Sequence, residues 1–247
     1  MALRETTPPS PTRLLTLGLI AWLAFLLLRR SVAELIPGLS HADVAEHDWV
    51  MVLPNLLLAC FLLWLGRLRY SHAQLWNAPG RTWLALAMGV GVLGSCAFTW
   101  AEQVMQPMDP AHDGMRVAAL ALGLSLALSE EVGFRGTLYE ALKEWKGELW
   151  AVLGSAFLFS AVHLGERLCA ASPRTVFGGL ALSLARLRGV GLTGLILIHL
   201  CVESAWALFL PMPAPLDAPR ELIAAGINAV FCLVLWRMKP TQAVKGL

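Results

Sequence analysis

Residues 115–139 read MRVAALALGLSLALSEEVGFRGTLY. The run is apolar from Val117 to Leu128 apart from Ser125, and Ser129, Glu130, Glu131 and Arg135 then interrupt it without ending it. Phe134, Leu138 and Tyr139 carry the apolar pattern onward. A helix of this length is longer than the roughly 30 Å hydrocarbon core of a bilayer. Ionisable groups at that depth cost at least ~2.5 kcal/mol each on insertion scales, so Glu130, Glu131 and Arg135 read as a site and not as surface.

Seven further apolar runs surround this one: Leu14–Leu28, Trp49–Leu65, Trp83–Trp100, Leu149–Leu164, Val176–Ala185, Val190–Leu210 and Leu222–Trp236. Trp49, Trp64, Trp83, Trp100, Trp150 and Trp236 stand at run ends, where interfacial tryptophans sit. Composition agrees: the 247 residues are 57% hydrophobic and 15% charged, too apolar for a soluble domain to bury and too ordered in pattern for a disordered chain. A net charge of +2 offers no footprint for nucleic acid. The expected fold is all-α, a polytopic transmembrane bundle of about eight helices. It forms a single integral-membrane domain over 1–247, with its chemistry in residues 115–210. The sixth run is too short to cross alone. Cys60, Cys96, Cys169, Cys201 and Cys232 show no metal-type pairing and read as small apolar residues.

Lys and Arg set the expected orientation. With eight spans and an inside N-terminus, twelve of the 19 fall inside: Arg4, Arg13, Arg67, Arg69, Arg81, Lys143, Lys146, Arg186, Arg188, Arg237, Lys239 and Lys245. Six fall outside: Arg29, Arg30, Arg116, Arg167, Arg174 and Arg220. Arg135 lies within a span. The expected location is a bacterial plasma membrane, with both termini cytoplasmic. Arg29 and Arg30 crowd the Ser31-Val32-Ala33 cleavage-like site, so the first run reads as an uncleaved span.

Spacing assembles the buried polar residues. The fourth and fifth runs meet at Lys146-Gly147, which makes them an antiparallel hairpin. Glu130 lies 16 residues before Lys146 and His163 lies 16 after Gly147. Both are therefore about 24 Å from the turn and can face each other. His199 and Glu203 are i and i+4 on the seventh run and share a helix face. Carboxylates and imidazoles from three helices thus converge on one site. Such a set activates water for attack on an amide carbonyl and holds the resulting oxyanion. It also suits zinc bound by two histidines and a carboxylate, with another glutamate as base.

Three motifs carry a resemblance. Glu130-Glu131-Val132-Gly133-Phe134-Arg135 fits E-E-x-x-x-R, Phe159-Ser160-Ala161-Val162-His163 fits F-x-x-x-H, and His199 opens an H-x-x-x-N-like pattern. In this order, between Ser129 and Glu203, they resemble the CPBP family of intramembrane endopeptidases. That family includes prenyl-protein CAAX proteases and bacteriocin-processing and immunity proteins. The resemblance implies that Glu130 activates water, His163 helps to hold it and His199 stabilises the oxyanion. Glu131 and Arg135 would pair to hold Glu130, with Phe159 in support. Glu203 stands where the family usually has Asn. It would act protonated, orient His199, or ligate a metal together with His163 and His199.

The expected activity is endoproteolysis of a membrane-associated protein or peptide in the bilayer, of a C-terminal-processing, sorting-signal or bacteriocin-maturation type. No cofactor is expected in the glutamate mechanism, zinc in the alternative, and no nucleic-acid partner in either. A proton-coupled transporter or channel is the competing class, but it calls for two related halves with broken helices, and no internal symmetry is present. Glu140, Lys143, Glu144, Lys146 and Glu148 read as a solvated helix end, Arg186 and Arg188 as topology charges, and Asn228 as an interhelical hydrogen bond.

Overall fold

The computed structural model describes residues 7–35, 44–76, 82–99, 113–163, 173–208 and 218–239. Arg4, His41, Arg81, Trp100, His112, Arg167, Cys169, Lys245 and the run end 209–210 lie outside these. The described residues form helices and no strand: α1 (Pro11–Leu35), α2 (Val44–Arg67), a short α3 (His72–Trp76), α4 (Thr82–Thr99) and α5 (Asp113–Glu130). A π-helical segment (Glu131–Thr137) joins α5 to α6 (Leu138–Lys146). Then follow α7 (Glu148–Val162), α8 (Pro173–Leu187), α9 (Leu192–Leu208) and α10 (Ala218–Arg237). The described residues of each apolar run lie along one rod of this bundle.

Three rods are long and apolar enough to cross a membrane by length and composition: Pro11–Arg29, Val50–Arg67 and Arg116–Lys146. Trp83–Leu93, Glu148–Val162 and Leu192–Ala205 are apolar but shorter. Large apolar side chains point outward around the perimeter, among them Leu23, Leu57, Val90, Phe157 and Leu222. Charged residues are instead buried, including Glu131 and Arg135. That inversion is the signature of a bundle solvated by lipid.

Small residues set the helix spacing. Gly133 leaves room for the Trp22 indole, since a Cβ there would come 2.8 Å from Nε1. Gly66 does the same for Thr137, whose Oγ1 donates to the Leu62 carbonyl at 2.7 Å. These contacts lay α2 parallel to α5 and the π segment. Two others lay α9 antiparallel to them: Gly136 against Leu192, and Gly123 against Glu203. Asn228 donates from α10 to the Arg174 carbonyl of α8 at 3.1 Å, as an interhelical bond.

One end of the bundle is laced by cations. Arg69, just past α2, forms a two-pronged pair with Glu144 of α6 and donates to the Pro9 carbonyl ahead of α1 at 2.9 Å. Tyr70 donates to the same carboxylate at 3.1 Å. Burial first, and the Glu144 charge second, raise the Tyr70 phenol above its ordinary pKa. Arg186 reaches the Gln74 and Leu75 carbonyls and Glu140. Arg188 caps α10 through the Leu235 and Trp236 carbonyls at 2.7 and 2.9 Å. The start of α1 and the end of α10 therefore lie at this same end. Here the structure corrects two expectations. Arg186 and Arg188 are buried tethers, and Glu140 is the half-buried partner of Arg186, whereas Lys143, Glu144, Lys146 and Glu148 are exposed as a solvated helix end. Terminal carbonyls and carboxylates at a helix-end junction need partners, and guanidinium forks supply several at once.

Candidate active site

The site is built on the π segment. In an α-helix, Glu130 and Glu131 would diverge by about 100°. Here the helix widens directly after Glu130, and the closing bond runs from the Leu138 N–H to the Gly133 carbonyl, five residues back. Gly133 and Gly136 supply the slim flanks this widening needs. Outside the wide turn, the Trp22 ring stacks on Phe134 at 4.6 Å, and Phe134 meets Phe159 edge-on at 5.8 Å. Single π turns inside α-helices are commonly functional features.

Glu131 and Arg135 form the dry floor. Both side chains are wholly buried, with Nη1 to Oε1 at 3.0 Å. Arg135 Nη2 donates to the Gly179 carbonyl at 3.0 Å, and its guanidinium lies 4.2 Å from the centre of the Phe159 ring. Gly179 permits this approach, since a Cβ there would come 2.9 Å from Phe159. A buried ion pair needs this many partners to offset its desolvation.

His199 links the floor to the more exposed carboxylates. Its Nδ1 lies 2.8 Å from Glu131 Oε1, and an ionised carboxylate only accepts, so Nδ1 carries the proton. Its Nε2 then faces Glu130 Oε2 and Glu203 Oε1, each at 3.6 Å. His163 Nδ1 donates to the Phe159 carbonyl at 2.8 Å, which turns Nε2 toward Glu130 Oε1 at 3.9 Å. These three separations exceed direct hydrogen bonds, and each suits a shared third atom. Exposure rises through the cluster: none for Glu131, 9% for the Glu130 side chain, 24% for Glu203 and 26% for His163.

The structure thus brings together all seven residues that the motifs single out. Two relationships are not apparent in the spacing. Glu131 grips His199 as well as Arg135, and Gly123 admits Glu203, where a Cβ would lie 2.6 Å from the Glu203 Cβ. The sum of positions along the antiparallel α5/α9 pair is the signal that could have shown both. Orientation of His199 through Nδ1 falls to Glu131, not to Glu203. Among the described residues, no group of three or more His, Cys, Asp and Glu side chains is arranged to hold a metal ion, and that includes His163, His199 and Glu203.

The class defined by this fold and site is an integral-membrane helical bundle with carboxylates and imidazoles gathered in its interior. Within that class, residues 113–205 match the family model described as Rce1-like, type II CAAX prenyl endopeptidase. The match covers less than half of the chain, spans all three motifs, and agrees with the resemblance to the CPBP/CAAX intramembrane endopeptidases that those motifs carry. No curated protein and no solved structure matches the chain.

Proposed function

We propose that the chain hydrolyses a peptide bond of a membrane-associated polypeptide with water activated by Glu130. The observation that carries this reading is the pair of acceptors formed by Glu130 Oε1 and His163 Nε2, 3.9 Å apart. A water seated against both donates one proton to each, and its lone pairs are left pointing into the cavity. Attack on the scissile carbonyl forms the C–O bond while Glu130 takes the proton. Collapse breaks the C–N bond as that proton passes to the departing nitrogen, giving a carboxylic acid and an amine.

His199 serves the oxyanion. Because Nδ1–H is committed to Glu131, donation from Nε2 requires the imidazolium form. Glu130 and Glu131 then balance Arg135 and His199, two anions against two cations. In the place of the family's usual Asn, Glu203 serves the oxyanion as a donor only through a carboxylic acid proton. The donor arrangement supports this over a zinc centre built on His163, His199 and Glu203, because Glu130 and not Glu203 faces both imidazoles. Substrates of a sorting-signal or bacteriocin-maturation type fit a site of this depth as well as prenylated C-termini do.

Quantitative mapping of polypeptide termini tests the proposal in membranes of cells carrying the wild-type chain or Glu130→Gln. A set of termini present only with the wild type is expected. Identical sets from the two would refute it.

A further inference from the structure

The more exposed residues of the site lie away from the cation-laced end of the bundle. Tyr70, Arg186 and Arg188 close the cation-laced end, each at most 7% exposed, and Leu138 and Leu192 are fully buried beneath them. No route to Glu130 runs that way. In the other direction, α7 ends at Val162, next to His163, and α8 begins at Pro173. α5 and α9 run on past the site, in contact at Gly123 and Glu203. With 15 residues, α7 is about 22 Å long, short of a roughly 30 Å hydrocarbon core. His163, directly past the end of α7, and Glu203, in the second half of α9, are the two most exposed site residues.

Cations collect on the cytoplasmic face of membrane bundles. The laced end holds Arg67, Arg69, Lys143, Lys146, Arg186 and Arg188, together with Arg237 and Lys239 at the end of α10. We infer that this site takes its substrate from the extracytoplasmic side. The substrate is a polypeptide held by an apolar membrane helix, with its scissile bond in the extracytoplasmic half of the bilayer. This inference rests on the peptidase reading above and adds the direction of approach. It makes the substrate class exported proteins that keep a membrane anchor, and not proteins of the cytoplasmic surface.

Sided thiol labelling tests the direction without using activity. The full chain, its five cysteines replaced by serine or alanine, receives His163→Cys, Glu203→Cys or Lys239→Cys, and bacterial spheroplasts are treated with a membrane-impermeant maleimide. His163→Cys and Glu203→Cys should label before permeabilisation, and Lys239→Cys only after it. The reverse order, or no labelling of either site cysteine under any condition, would overturn the inference. A second arm uses the unaltered chain, so folding of the variants is not at issue. Two single-span reporters carry the same candidate segment at the extracytoplasmic or the cytoplasmic end of the anchor. Glu130-dependent cutting of the extracytoplasmic reporter is expected, and cutting of the cytoplasmic one alone would overturn the inference. If cutting occurs but persists in Glu130→Gln, the peptidase mechanism fails while the labelling still decides the direction.

Discussion

Glu131 has two duties, and removing its charge separates them. In Glu131→Gln the Arg135 guanidinium, wholly buried, keeps the Gly179 carbonyl and the Phe159 face but loses the carboxylate 3.0 Å away. Breaking a buried pair from one side costs about 3–5 kcal/mol, because the remaining charge stays desolvated. Adding Arg135→Met removes that orphaned charge and fills similar volume, so the double variant should recover most of the lost stability. Activity should not recover with it. His199 Nδ1 would face a neutral amide in place of a carboxylate at 2.8 Å, and the imidazolium form would lose its nearest counter-charge. Thermal unfolding in detergent and cleavage rate in reconstituted membranes, measured on the wild type and both variants, test this. If Glu131→Gln unfolds like the wild type, or if the double variant cleaves at the wild-type rate, the reasoning about Glu131 is wrong.

Three further outcomes follow from the geometry. Glu203→Asn restores an amide donor at the oxyanion and should keep substantial activity in a cleavage assay, whereas Glu203→Leu should lose most of it. Gly123→Ala would place a Cβ 2.6 Å from that of Glu203 and push α9 from α5, costing about 1–3 kcal/mol of stability by thermal unfolding and slowing cleavage. The raised Tyr70 pKa makes the folded state hold its proton longer than the unfolded one. Its contribution is full below the phenol's ordinary value of about 10 and fades as pH climbs beyond it, so Tyr70→Phe should flatten the alkaline loss of stability.

Depth along the helices is legible in the sequence, because residue counts convert directly to distance. Equal spacing from Gly147 sets Glu130 against His163, and the i, i+4 step sets His199 beside Glu203. Facing is harder to read. Whether Glu131 points at Arg135 alone or also at His199 depends on the π turn, and only Gly133 and Gly136 hint at that widening. Packing partners are harder still. Nothing local in the sequence announces that Gly179 lends a carbonyl to Arg135 or that Trp22 braces Phe134. The burial of two arginines is hidden in the sequence for a related reason. Arg186 and Arg188 follow an apolar run as topology charges do, and their partners at Gln74, Glu140 and Leu235 are 46 to 112 positions away.

The central claim is that a carboxylate, and not a bound metal, activates the water. The decisive measurement is the cleavage rate of a substrate found by terminus mapping, by wild type and Glu130→Gln, in reconstituted membranes after exhaustive chelation and elemental analysis. The account predicts that metal-depleted wild type cuts at its full rate, while folded Glu130→Gln falls by at least about 10²–10⁴-fold, as loss of a general base does. A Glu130→Gln variant that cuts normally, or wild-type activity that vanishes on chelation and returns with zinc, would contradict it.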